Sequence, residues 1–315
     1  MNQQITHLKA EIAKHVIGHT DLIDKLLIGL ISDGHVLIEG VPGLAKTTAV
    51  NALAKAIGLD FKRVQFTADL LPSDILGAEV YQPKTESFML KKGPIFTNLL
   101  LCDEINRASA KVQSALLEVM QEKQVTLANE SFALEEPFFV LATQNPIDQE
   151  GTYSLPEAQL DRFMMKVIVD YNSEDEEFEI AKKAANQSFA PINKVLSPEV
   201  IGEIKKQVKE IYVDDALTTH IVKLIFATRD PKKYGLSSLI PLIEYGASPR
   251  ATIDMLKAVK ASAYIRGNDT VTPVDIALCF HDVLRHRIVL SYDAEAEGHT
   301  SDEVLDTILQ TLEMP

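Results

Sequence analysis

Tryptophan is absent from this 315-residue chain, and cysteine occurs only twice. Two cysteines, Cys102 and Cys279, are too few for a disulfide framework or a thiolate metal cluster. Cys102 closes the apolar run 99–102 and reads as a small buried hydrophobe. No apolar run approaches the roughly 20 residues that a membrane-spanning helix needs. Residues 1–15 are polar, with apolar positions at helical spacing, so they read neither as a span nor as a signal peptide; the expected location is cytoplasmic. Positive charge is also short, with 31 Lys and Arg against 45 Asp and Glu, a net charge of −14. That balance argues against unspecific binding to nucleic acid, although a local basic patch is still compatible with it.

What is present is an alternation of strand and helix patterns in the first half. Strand candidates lie at 35–39, 61–66, 98–102, 138–142 and 166–169. The run 98–102 is almost continuously apolar, as in a strand covered on both faces. Helices are expected at 47–57 and 112–121, where apolar residues recur at helical spacing. This order points to an α/β core with a parallel sheet flanked by helices. Two segments, 77–93 and 124–134, break the pattern and read as inserted β-hairpins. The second turns around Ala128, Asn129 and Glu130.

After Asp170 the composition changes. An acidic run at 172–177 follows the helix-capping candidate Ser173, and its simplest reading is a solvated helix start. Ser197-Pro198 and Thr272-Pro273 are further helix starts. Strand signal is nearly absent from here on. The expected division is a core at 1–170, a linker region at 171–191 and an all-α C-terminal domain at 192–315.

Gly40, Val41, Pro42, Gly43, Leu44, Ala45, Lys46 and Thr47 lie between the first strand and its helix, close to the pattern G-x-x-x-x-G-K-[ST]. In such a loop successive backbone N–H groups turn inward onto a phosphate, and the helix adds its positive end. Lys46 would reach the β- and γ-phosphates of ATP, and the Thr47 hydroxyl would ligate Mg²⁺. Ala45 replaces the second fixed glycine; it is costly if that position needs a positive φ and harmless otherwise. Downstream, the strand at 98–102 ends in Asp103 and Glu104. Asp103 is placed to hold Mg²⁺ through water and Glu104 to orient an attacking water. Asn145 follows the fourth strand, where it either contacts the γ-phosphate or simply forms an Asn-Pro turn with Pro146. Arg162 and Arg250 suit charge developing on a transferred phosphate, with surface ion pairs as the plainer reading.

These segments, with 66–74, 93–96, 103–108, 142–146, 150–163, 247–251 and 292–298, resemble the MoxR family of AAA+ ATPases over nearly the whole chain. Ala45 fits that family's loop. The resemblance implies an AAA+ P-loop core with a helical lid, a Walker A pair in Lys46 and Thr47, with Thr48 beside them, and a Walker B pair in Asp103 and Glu104. It makes Asn145 sensor 1, Arg162 an arginine finger on a neighbouring subunit's ATP, and Arg250 sensor 2, closing the lid over its own nucleotide. Val16, Ile17, Gly18 and His19 resemble the adenine-contacting segment, with His19 where the family has Gln. The hairpins match the helix-two and pre-sensor-1 inserts, which in related machines point toward the pore of a ring, commonly a hexamer. The implied activity is Mg-ATP hydrolysis coupled to chaperone-like remodelling or maturation of partner proteins, often ones with von Willebrand factor A domains. The alternatives are an ATPase subunit of a metal-chelatase-like complex and, behind it, a DNA-acting AAA+ protein. Tyr81 and Phe88 on the first hairpin are equally compatible with gripping a peptide and with packing against the core.

Overall fold

The computed structural model describes residues 3–41, 43–44, 46–128, 130–146, 153–186 and 189–315. Pro42, Ala45, Asn129 and the segment 150–152 therefore lie outside the described residues.

Two helices, α1 (Gln3–Ala13) and α2 (Thr20–Ile31), precede the sheet. Strands β1 (Val36–Glu39) and β2 (Phe61–Gln65) flank α3 (Lys46–Ile57). A short α4 (Pro72–Leu76) leads into the hairpin β3 (Gly77–Gln82) and β4 (Ser87–Lys92), then β5 (Leu99–Asp103) and α5 (Ala110–Glu122). The second hairpin is β6 (Gln124–Leu127) and β7 (Glu130–Ala133), followed by β8 (Phe139–Gln144), α6 (Glu157–Leu160) and β9 (Met165–Ile168). Five strands form one parallel sheet in the order β2-β5-β8-β1-β9. Both hairpins are antiparallel, as the sequence pattern indicates.

Alternation along the strands divides the core between the two faces of the sheet. Val36, Ile38, Leu99, Leu101, Phe139 and Leu141 join a hydrophobic cluster with α1, α2 and α3. Leu37, Leu100, Cys102, Val140 and Ala142 join the other, with α5 and Phe163. β5 is buried at every residue, which explains its unbroken apolar run. The Cys102 thiol lies in that interior, and burial pushes its pKa well up.

The first cluster continues without a break into the C-terminal helices. The linker helix α7 (Glu174–Ala185) buries nothing and starts in a reciprocal Ser173–Glu176 capping box. Beyond it come α8 (Pro198–Glu210), α9 (Asp215–Arg229), β10 (Ile243–Tyr245), α10 (Pro249–Arg266), α11 (Pro273–Leu284), β11 (Val289–Leu290), α12 (Tyr292–Ala296) and α13 (Ser301–Thr311). Ser197 and Thr272 stand at the N-cap positions of α8 and α11 as expected, each with Pro at the start of the helix. The lid is not wholly helical, because β10 and β11 pair as a small antiparallel ribbon. Strands of three and two residues are too short to show a period of two.

The hairpins share a base. The Lys92 ammonium sits over the Phe96 ring at 4.8 Å and over Phe132 of the second hairpin at 5.3 Å. Further along the first hairpin, Tyr81 and Phe88 face each other across the ladder with ring centroids 5.3 Å apart. They are 50% and 68% exposed, so they do not pack into the core.

Candidate active site

The parallel sheet sets the site. In register, Glu39 of β1 lies beside Gln144 of β8, and Gln65 of β2 beside Asp103 of β5. The residues that follow these strands therefore gather at one end of the sheet, where open α/β folds bind ligands. A cleft of about 150 Å³ there is lined by Gly43, Lys46, Thr47, Arg63, Gln65, Asp103, Glu104, Thr143, Gln144 and Asn145.

The phosphate loop enters the cleft close against the sheet. A Cβ on Gly40 would lie 2.7 Å from the Val169 carbonyl, so only glycine fits there. Gly43 has φ +92° with open space around it, the freedom this turn requires. Leu44 is buried and anchors the loop. Lys46 begins α3, and its Nζ donates to the Gly40 carbonyl at 2.6 Å. Partial burial pulls the Lys46 ammonium below its ordinary range, while Asp103, Glu104 and Glu39 pull it back up.

Asp103 and Glu104 are held by residues the motif does not contain. Thr143 Oγ1 accepts from the Glu104 backbone N–H at 2.9 Å and donates to Asp103 Oδ1 at 3.2 Å. Arg63 Nε pairs with Asp103 Oδ2. Glu104 Oε2 accepts from Gln65 Nε2 at 2.8 Å and pairs with Arg107 Nε at 2.8 Å. Glu104 has φ 56° and ψ 52°, a left-handed conformation that costs a non-glycine residue ~1–2 kcal/mol. That backbone turn swings its side chain off the strand and into the cleft. Asn145, just beyond β8, is buried and lines the same space. Gln65, Arg63 and Thr143 went unassigned in the sequence, although each is polar near the carboxyl end of a core strand.

These residues fit a nucleotide with Mg²⁺. The cleft presents a helix N-terminus and an ammonium, on a loop that Gly40 lets pack against the end of β9. Thr47 and Asp103 are hard oxygen donors of the kind Mg²⁺ takes. Both Asp103 oxygens already have protein partners, which suits contact with the ion through water. At the segment 16–19, Gly18 (φ +70°) approaches the linker so closely that a Cβ would lie 2.7 Å from Asn172 Oδ1. Asn172 Oδ1 and His19 Nε2 are both buried with no hydrogen-bond partner, as groups awaiting a polar base would be. Burial lowers the His19 pKa, opposed by Glu176. Val16 is buried and Ile17 half-buried beside them. Thr48 is half-buried in the first turn of α3.

Arg162 and Arg250 are not in this cleft. Together they line a second cavity of about 320 Å³, with Asp33, Lys123, Asp254 and Lys257 among its walls. Gly34, His35 and Met164 also line it, placing it at the amino end of β1 and β9. The four residues of β1, at about 3.3 Å each, separate that end from the phosphate loop. Arg162 donates from Nη1 to the Leu117 carbonyl at 2.9 Å. Arg250 lies beside Asp161, 3.7 Å from Oδ2. Ser248 caps α10 and donates to both Asp161 oxygens at 2.9 and 3.0 Å, which docks the start of α10 beside Arg162.

Fold and cleft define a P-loop ATPase core with a helical lid. Residues 35–165 match the model of the ATPase family associated with various cellular activities, and 241–308 match the AAA lid domain. "Chaperone MoxR1" of Mycobacterium tuberculosis is 44% identical, over 97% of this chain and 81% of that one. "Uncharacterized protein YeaC" of Bacillus subtilis is 40% identical, over 96% and 92%. The solved structure of a Cytophaga hutchinsonii protein provisionally named an ATPase superposes with a TM-score of 0.94 at 47% identity, over 99% of this chain and 95% of that one. The chain belongs to the MoxR family of AAA ATPases. No helix among the described residues is long and apolar enough to cross a membrane.

Proposed function

We propose that this protein hydrolyses the β–γ bond of Mg-ATP at a site completed by a neighbouring subunit, and uses the cycle to remodel partner proteins. One observation carries the reading. Lys46, Thr47, Asp103, Glu104 and Asn145 share one cleft, while Arg162 and Arg250 share a cavity at the other end of β1. A single chain thus holds nucleotide-binding and water-activating groups at one end and charge-stabilising groups at the other. Joining copies head to tail brings the second set onto the first, and closure of that repeat gives a ring. A hexamer is the ring we favour.

Phosphoryl transfer leaves a protein mostly positioning and charge stabilisation to supply. The loop and Lys46 bind the β- and γ-phosphates. Thr47, and Asp103 through water, would hold Mg²⁺, which would neutralise charge on the phosphate oxygens. Glu104 accepts a hydrogen bond from the attacking water and aligns it in line with the leaving β-phosphate oxygen, with Asn145 on the same side. The water oxygen bonds to the γ-phosphorus as the bridging P–O bond breaks; the electron pair leaves on the β-phosphate oxygen of ADP, and the water's proton passes by way of Glu104 to the released phosphate. Arg162 and Arg250 of the adjacent copy meet the charge that develops.

Remodelling is supported by the name of one relative, a chaperone, and by the hairpin surface. Tyr81 and Phe88 are exposed on one face of the first hairpin and Val80 and Met89 on the other, apolar faces suited to gripping a polypeptide. Partners with von Willebrand factor A domains are the class the family resemblance suggests. Glu104→Gln tests the site. It should bind ATP normally and stall, which also makes it a trap for partners. Rapid hydrolysis by that variant would remove Glu104 from its role.

A further inference from the structure

The segment carrying Arg162 is gripped by a buried arginine 125 residues further on. Arg287 follows α11 in the lid, and its side chain is 1% exposed. Its Nη2 donates to the Phe163 carbonyl at 2.9 Å and to the Asp161 carbonyl at 3.3 Å, the peptide oxygens on either side of Arg162. The same Nη2 pairs with Asp254 of α10 at 2.6 Å, and Nη1 donates to the Val283 carbonyl of α11 at 3.2 Å. Nε lies 3.0 Å from Asp161 Oδ1, an ionic contact rather than an aligned hydrogen bond. His286 Nε2 adds a second contact to the Phe163 carbonyl at 2.9 Å.

A buried guanidinium is expensive to desolvate and holds only where its surroundings pair it well. Stability alone does not require it here, because apolar residues of similar volume often serve as well at such positions. The fork instead joins three elements rigidly: the lid helices α10 and α11, and the short stretch 161–163. Nη2 meets both carbonyls and the Asp254 carboxylate while Nη1 reaches the Val283 carbonyl and Nε lies beside Asp161, a spread over three nitrogens that a single lysine ammonium cannot reproduce. Both flanks of Arg162 are therefore referenced to the lid, while the Arg162 side chain points into the cavity walled by Asp254 and Arg250.

We infer that Arg287 is a positioning residue for Arg162: it locks the finger segment to the lid, so the lid's placement sets where Arg162 meets the neighbour's nucleotide. This rests on the reading of Arg162 as a finger acting across the subunit boundary. It assigns the lid a role in the adjacent subunit's site as well as in its own chain. Misplacement by about 1 Å far from the chemistry can cost roughly a hundredfold in rate.

Arg287→Lys in the full-length protein tests it, with affinity for a fluorescent ATP analogue and kcat measured separately. Unchanged affinity with kcat down about ten- to a hundredfold is expected. The variant is then mixed with Glu104→Gln subunits, which cannot turn over but carry an intact finger. Turnover should return, because the variant's own cleft is intact and its new neighbour supplies Arg162. Arg162→Ala mixed in the same way is the control. Wild-type kcat for Arg287→Lys overturns the inference. So does failure of rescue for Arg287→Lys while Arg162→Ala is rescued, because the defect then lies in the variant's own site. If Arg162→Ala is not rescued either, the finger reading itself fails and takes this one with it. Should Arg287→Lys not fold, Asp254→Asn cuts the lid side of the clamp with the guanidinium in place. It should give the same rescued kcat loss, and wild-type turnover or an unrescued loss overturns the inference equally.

Discussion

Thr143 Oγ1 ties the Glu104 backbone to the Asp103 carboxylate, accepting from the Glu104 N–H at 2.9 Å and donating to Asp103 Oδ1 at 3.2 Å. One hydroxyl thereby holds a strained left-handed residue and orients its neighbour's carboxylate. Thr143→Val keeps the volume and removes both bonds. The Glu104 N–H left without a partner costs ~1–3 kcal/mol, and Glu104 loses its fixed aim. Turnover should fall on the order of ten- to a hundredfold with ATP affinity little changed. Steady-state kinetics beside a binding titration check this; unchanged kcat would mean that Gln65 and Arg107 suffice to hold Glu104.

Arg162→Ala removes a guanidinium that no described contact brings to its own chain's phosphate cleft. ATP binding by the isolated subunit should persist while turnover drops by ~10³–10⁵, the range for arginine fingers. Arg250→Ala should also spare binding by the isolated subunit, since Arg250 lies in the same cavity. Loss of affinity in a monomeric Arg250→Ala preparation would support the reading in which that arginine covers its own nucleotide.

His35 sets a stability limit at acid pH. Its Nε2 faces the Met120 carbonyl at 3.0 Å and its Nδ1 accepts from the Val140 N–H at 3.0 Å, so the ring is a neutral bolt between α5 and the sheet. Burial depresses its pKa from 6.5 to about 4, opposed by the Met120 hydrogen bond. The unfolded chain therefore takes up a proton near pH 6.5 that the folded chain refuses until about pH 4. Stability is full above that window and falls as pH drops through it, by about 3 kcal/mol in total. Burial pushes His286 the same way. Urea midpoints at pH 7.5 and pH 5 should differ in that direction, and His35→Gln should flatten the dependence; an unchanged slope in that variant would assign it to other groups.

Local spacing made much of this protein legible. The phosphate loop, the Asp103-Glu104 pair and Asn145 each follow an apolar strand, so strand and motif could be read together. Both hairpins showed through their turn residues and alternation. What escaped depends on distance along the chain. Arg287 reaches Asp161 across 126 residues, and its own segment of mixed apolar and basic residues marks nothing. Arg63 and Gln65 sit on an edge strand whose exposed polar pattern looks like plain solvation. The place of Arg250 depends on how α10 docks, which Ser248 and Asp161 decide between them. Exposure of Tyr81 and Phe88 follows from how the hairpin stands off the core, and alternation alone says only that their side chains share a face.

The central claim is that one copy completes another's site. ATP hydrolysis per subunit, measured across protein concentration with size-exclusion light scattering alongside, addresses it most directly. Specific activity should rise steeply over the range in which a ring forms and stay low for the monomer. Activity per subunit that stays constant with concentration in a protein that remains monomeric would contradict the account.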